Sequence, residues 1–408
     1  MDLKNGYGHL TYSTLVHPGD TWTDMKTSLQ TYLPEVKKRF SPDAPMGVSL
    51  RLANASVVEL LAKPEERKWL RNYLIEQDLY VYTVNAFPYG PFKGQEVKAE
   101  VYEPDWTTDA RTKYTMNVAD ILAEVTGSDV EPTIQTAPLA FRPKVTSPEY
   151  VAAFNENIYK VIAHLMQLEK RTGRRVKLAL EPEPFCHLET IPETVTYFKE
   201  TIYSLAAAER ISKLSGQPLA EVFGATRRYL GVVLDICHQS VEFENIADDI
   251  ALLSEAGIPI FKLQEAAALQ VESVTPEIVT ELKKYTGTIY LSQTTELRNG
   301  KLTRFLNLED AIKAWEADPA PGEPREWRTH FHVPVFLKDL GPFQTTRGGI
   351  DAALKVHAKT PLSTHLEIET YTWDVLPEHL KTGDITEYVV RELEYVRDQL
   401  FREIKAIS

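Results

Sequence analysis

The feature that most constrains this chain is an alternation. Short segments rich in β-branched or aromatic residues recur along it, most of them followed by a longer segment whose apolar residues fall at helical spacing. The strand candidates are residues 9–13, 47–52, 79–85, 176–181, 231–235, 260–264, 328–332 and 365–369. The helical segments are 24–40, 57–77, 148–171, 194–213, 246–256, 276–285 and 348–358, and 385–407 closes the chain. Such alternation implies parallel βαβ units, and eight of them close into a (β/α)8 TIM barrel. An open doubly wound sheet is the competing architecture. The expected organisation is one barrel domain over residues 1–408 with insertions after strands 3 and 6. After strand 3, residues 90–105 and 133–141 read as an excursion over one mouth. After strand 6, residues 288–304 with Asn299-Gly300 read as an added hairpin.

One parity of a barrel strand packs on the helices and the other points inward. Here the inward parity turns polar. The last strand carries His365, Glu367 and Glu369 on one face, and others end on Glu181, Asp235 and His332. Arg51, Asn85, Lys262 and Gln264 sit at matching positions. Active sites of this fold lie at the C-terminal strand ends, and several uncompensated carboxylates there require a metal, a substrate or counter-charges.

Glu181 precedes Pro182-Glu183-Pro184, where it either serves that site or accepts backbone hydrogen bonds. Asp235 opens Asp-x-x-His with His238, a spacing that a structural hydrogen bond also explains. Of the two histidines sharing a face, His330 reads as an inner-layer residue and His332 as the better ligand. Glu367 reads as a counter-charge for Lys262 or Arg51. His17 and His187 lie at or just beyond strand ends, whereas His164, His357 and His379 read as ordinary helix or surface positions. His17, Arg51, Asn85, Lys262, Gln264 and Trp373 are the expected substrate contacts.

Two glutamates, an aspartate and a histidine form an oxygen-rich donor set for a divalent metal ion, Mn, Co, Zn or Mg. Beside paired carboxylates, such an ion suits isomerisation or epimerisation of a small polyol or sugar-like metabolite. Two other readings stay open: a Schiff-base lyase using Lys262, and a catalytically silent barrel that binds or hands over a metabolite. The net charge of −13 opposes a nucleic-acid partner. Two cysteines, Cys186 and Cys237, cannot build a disulfide framework. With no apolar run of membrane-spanning length and no signal-peptide core, the expected location is the cytoplasm.

Several motifs carry a resemblance: His9-Leu10-Thr11-Tyr12, His17-Pro18-Gly19, Asn85-Ala86-Phe87-Pro88-Tyr89-Gly90, Val101-Tyr102-Glu103-Pro104-Asp105-Trp106, His332-Val333-Pro334-Val335 and HLEIETYTWDVLP at 365–377. The chain resembles the xylose-isomerase-like (sugar phosphate isomerase/epimerase) superfamily and, more narrowly, the bacterial EboE-type metabolite traffic proteins. The resemblance implies a metal-dependent isomerase-like barrel working with protein partners at the membrane. It implies Glu181, Asp235 and Glu369 as metal ligands, with Glu181 and Glu369 also the acid/base pair. Gln264 stands where the superfamily has a histidine, so His332 or His238 is expected to replace that ligand.

Overall fold

The computed structural model describes residues 1–319, 322–375, 381 and 383–407. Leu376 and Pro377 of the last motif, and His379, lie outside these. Seven parallel strands come first in the barrel: β1 (His9–Tyr12), β2 (Met46–Arg51), β3 (Leu79–Asn85), β4 (Thr133–Thr136), β5 (Lys177–Leu180), β6 (Leu230–Asp235) and β7 (Ile260–Glu265). An insertion then contributes β8 (Ala267–Val271), β9 (Thr294–Arg298), β10 (Lys301–Phe305), β11 (Arg325–Val333), β12 (Asp339–Leu340) and β13 (Phe343–Thr345), and β14 (His365–Ile368) completes the barrel.

The barrel order is β1-β14-β7-β6-β5-β4-β3-β2. A parallel bridge between Ser13 and Ser49 closes the ring, helped by the Thr11 hydroxyl, which donates to the Gly47 carbonyl at 2.7 Å.

The expected count of eight strands hides two compensating errors. Residues 133–136, expected within a loop excursion, pair in parallel with β3 and β5 and are a barrel strand. Between Pro132 and Pro138 only Ile134 and Ala137 are apolar, three residues apart, which gives no strand periodicity. The helix before it, Asp109–Val125, also escaped the pattern reading. Conversely, 328–332 is no barrel strand: β11 pairs antiparallel with β8 and β9 in a second sheet of order β10-β9-β11-β8-β13-β12. Its alternation arises because one of its faces covers the barrel mouth. The insertion does follow residues 260–264, but these form the seventh barrel strand. The β9–β10 hairpin turns on Asn299 (φ 50°) and Gly300 (φ 74°), the two positive-φ positions such a turn requires.

The expected helix 24–40 is two, Trp22–Thr31 and Leu33–Phe40, and 57–77 is likewise split into Asn54–Ala62 and Pro64–Glu76. Each break stands just before a helix that carries Pro34 or Pro64 in its first turn, where the missing N–H costs nothing.

The barrel axis is filled by polar layers. At the bottom the Thr133 hydroxyl donates to Thr83 and lies 3.0 Å from His365 Nδ1. Above it Lys262 Nζ sits 2.8 Å from Glu367 Oε1 and donates to Gln135 Oε1 at 2.5 Å, both partners buried. The third layer, at the C-terminal mouth, holds the carboxylates.

Candidate metal centre

Each carboxylate owes its place to a strand end. Glu181 follows β5, Asp235 ends β6, Glu369 follows β14, and Gln264 is the penultimate residue of β7. All four are buried. One oxygen each from Glu181, Asp235 and Glu369 falls within 4.8 Å of the others. Gln264 Nε2 lies among them, donating to Glu181 Oε1 at 3.1 Å, Asp235 Oδ2 at 2.7 Å and Glu369 Oε2 at 2.7 Å.

An amide NH2 has two protons, so three acceptors exceed its capacity. Meanwhile the buried Gln264 Oε1 has no hydrogen-bond partner among the described residues. A half-turn of the amide exchanges the two atoms and presents a fourth oxygen to the three carboxylates. That arrangement suits a hard or borderline cation, so the residues fit a divalent metal.

The electrostatics agree. Burial, then the charges of Glu369 and Asp235, pushes Glu181 well above the usual carboxylate range. Burial and the neighbouring Glu367 and Asp235 do the same to Glu369, and burial raises Asp235. The acid/base candidates are held symmetrically: Gln135 Nε2 donates to Glu181 Oε2 at 2.6 Å, and Asn85 Nδ2 donates to Glu369 Oε1 at 2.7 Å.

Three imidazoles flank the carboxylates. His238 sits on the short helix Ile236–Val241, whose N-terminus is capped by Asp235 Oδ1 through the Cys237 and His238 N–H groups at 2.7 and 3.1 Å. His330 and His332 come from β11, where the pairing with β8 shifts register between Thr329 and Val333. Such an irregularity re-aims side chains, and here both rings face the mouth. Burial holds His238 down to about 3 and His332 down to about 4, with His330 well below the ordinary range, so all three are neutral at pH 7.

Over these groups opens a half-enclosed pocket. Its floor includes Asn85, Gln135, Glu181, Glu183, His238, His330 and Glu369; its walls are mostly apolar, among them Leu15, Phe87, Phe92, Val97 and Leu291. Phe92, Val97 and Tyr102 belong to the excursion expected after strand 3.

The structure thus gathers Glu181, Asp235, Gln264, Glu369, His238, His332 and Asn85 around one mouth. Four expected substrate contacts lie elsewhere. His17 is stacked on Tyr32 with its Nε2 3.0 Å from the Tyr12 hydroxyl. Arg51 clamps two loops, donating to the carbonyls of Gly19 at 2.8 Å and Gly90 at 2.5 Å beside Asp20. Lys262 is locked in its ion pair below the floor. Trp373 packs on Tyr388 at 4.5 Å, and Tyr371 lines the cavity instead.

His330 is a further correction, for it shares the mouth with His332 and is no inner-layer residue of the barrel. Sequence reasoning also missed Gln135, whose strand went unseen, and Glu183, Tyr102 and Gln293, which converge through hydrogen bonds from Tyr102 Oη and Gln293 Nε2 to Glu183 Oε1 at 2.8 and 3.1 Å. Only Glu183, inside Glu-Pro-Glu-Pro after a strand end, carried a readable signal.

Away from the mouth, burial pushes Glu392 up to about 8 while it accepts from the Thr370 hydroxyl and the Val335 N–H. A carboxyl raised in the folded state keeps a proton that the unfolded chain gives up, so its stabilisation is complete below the unfolded value near 4.5 and is lost as pH rises toward 8. Unfolding free energy measured in urea on chelated protein at pH 6, 7 and 8 is expected to fall. In Glu392→Gln the fall should be shallower by about 1 kcal/mol per pH unit.

No family model matches the sequence, and no curated protein matches it either. Solved structures do. A xylose isomerase-like TIM barrel protein from Mycobacterium smegmatis, in complex with magnesium, superposes with a TM-score of 0.51 at 8% identity over 99% of this chain and 99% of that chain. The IolI protein with a bound zinc atom gives 0.48 at 13% identity over 97% and 98%. A xylose isomerase domain containing protein from Salmonella typhimurium gives 0.40 at 11% over 97% and 98%. The fold is a (β/α)8 TIM barrel, shared with the magnesium-bound structure. No helix among the described residues is long and apolar enough to cross a membrane.

Proposed function

We propose that this protein is a metal-dependent isomerase or epimerase of a small sugar-like metabolite, with Glu181 and Glu369 as its proton-transfer pair. One observation carries the reading: Glu181, Asp235, Gln264 and Glu369, delivered by four barrel strands, converge at the C-terminal mouth with an amide that cannot satisfy all three carboxylates. Glu181, Asp235 and Glu369, with Gln264 beside them, would hold the ion. When bound, the ion supplies a Lewis acid that polarises a substrate carbonyl.

The chain's own residues do the rest. One glutamate takes the proton from the carbon beside the carbonyl, and a carboxyl group returns a proton to the neighbouring carbon or to the opposite face. Gln135 and Asn85 keep the two carboxylates aimed, while Phe87, Tyr102 and Tyr371 limit water at the reacting carbons.

The pocket walls favour a second reading. Their apolar character suits a metabolite with an apolar portion that the barrel binds and passes to a partner protein, the metabolite-traffic role that the motif resemblance implies. The Schiff-base reading loses support, because a nucleophilic lysine must be neutral and open to a carbonyl, and Lys262 is ion-paired below the floor. The test is solvent deuterium exchange into a panel of sugars and sugar phosphates, followed by NMR on metal-loaded protein. Exchange beside a carbonyl supports the isomerase. Thermal stabilisation by a ligand without exchange in any compound supports the carrier.

A further inference from the structure

We propose that His238, His330 and His332 form a second cation site, distinct from the carboxylate site and joined to it through Asp235, which takes a transition-metal ion of the Zn2+ class. The argument starts from where each ring puts its protons. His238 Nδ1 lies 3.0 Å from the Pro182 carbonyl, and His332 Nδ1 lies 2.7 Å from the Glu369 carbonyl. A carbonyl only accepts, so each Nδ1 carries its hydrogen and each Nε2 keeps a lone pair.

His330 Nδ1 lies 2.8 Å from Gln293 Oε1, and that amide is oriented because its Nε2 donates to Glu183 Oε1 and to the Pro184 carbonyl. His330 therefore adopts the same tautomer. The three fixed tautomers leave a lone pair on every Nε2, and those of His238 and His332 both lie against that of His330.

They meet at short range: Nε2 of His330 is 3.2 Å from that of His238 and 3.0 Å from that of His332. The Tyr371 hydroxyl, 3.3 Å from His330 Nε2, can supply one proton where three lone pairs are present. Nitrogens bound tetrahedrally to zinc at about 2.0–2.1 Å stand roughly 3.3 Å apart, close to the two separations that His330 makes with its neighbours. Outer acceptors on each Nδ1–H are also what metal-bound histidines use to fix their orientation.

A fourth donor is at hand. Asp235 Oδ1 is committed to the helix cap, while Oδ2 faces Gln264 on one side and lies 3.6 Å from His238 Nε2 on the other. Ligand atoms of Asp235, His238 and His332 all lie within 4.8 Å of one another. Nitrogen donors on this side and oxygen donors on the other divide the mouth into a softer and a harder half. The site stands whether or not the protein turns over a sugar.

The test counts metal. Full-length protein without a histidine tag, stripped with chelator and dialysed against Zn2+, should retain two ions per chain by mass spectrometry. Glu181→Gln/Glu369→Gln should retain one, and His330→Gln should also retain one, with its second binding step weakened at least about 100-fold. Because an imidazole variant can misfold, 15N NMR of the wild type supplies the second measurement. Zn2+ should shift the Nε2 resonances of all three histidines and leave each Nδ1 protonated. A wild type that retains one ion, kept in His330→Gln and lost in the carboxylate variant, overturns the proposal. So do imidazole resonances unmoved at saturating Zn2+, which mean that the trio shares protons. Retention of no ion at all overturns this site and the metal-dependent reaction together, whereas two ions without deuterium exchange overturn the reaction alone.

Discussion

Replacing Glu181 and Glu369 by glutamine together is expected to abolish deuterium exchange and remove the oxygen-bound ion while leaving the fold intact. A positioned acid or base contributes about 10²–10⁴-fold to a proton transfer, so losing both should cost about 10⁴-fold or more. The stability response carries the sharper signature. Without a cation, three buried carboxylates repel one another, and burial alone already favours their neutral forms. The chelated double variant should therefore be as stable as chelated wild type, or more stable. With metal the order reverses, because an ion that binds only the folded state at 100 times its Kd stabilises it by about 2.7 kcal/mol. Paired urea titrations with and without metal read both signs; a chelated variant clearly less stable than chelated wild type would mean that the carboxylates are structural.

The second large effect is expected one layer lower. Lys262→Met strands Glu367 in the barrel axis, where both groups are fully buried. Breaking a buried ion pair from one side costs about 3–5 kcal/mol, whereas replacing both partners by apolar residues of similar volume is often neutral. Lys262→Met/Glu367→Leu should therefore recover most of the loss in a urea titration. If the single variant lost nothing, the pair would be solvated in solution and not sealed in the barrel axis beneath the mouth. The same variants bear on chemistry. Retention of exchange activity in the double variant, once folded, excludes Lys262 as a nucleophile.

The barrel was legible because its signal is local: alternation along β5, β6, β7 and β14 reports burial of one parity, and polar residues at strand ends report a mouth. β4 was not legible, because a four-residue strand buried by its neighbours needs no hydrophobic pattern of its own. β11 was misread for the opposite reason, since a strand covering the site shows the same alternation as one lining it. His17, Arg51 and Trp373 had side chains suited to a substrate. What they touch is set by residues on other elements of the fold, such as Gly90 for Arg51 and Tyr388 for Trp373.

By itself, then, the sequence determined an alternating α/β chain whose inward strand parity ends in Glu181, Asp235, Gln264 and Glu369. That follows because side-chain direction alternates strictly along a strand, whatever the rest of the fold does. Only the tertiary structure decided that an inserted antiparallel sheet lays His330 and His332 against His238. Ring tautomers and lone-pair directions depend on carbonyls contributed from Pro182 and Glu369 and on the amide of Gln293, and no spacing within a motif encodes contacts between segments so far apart.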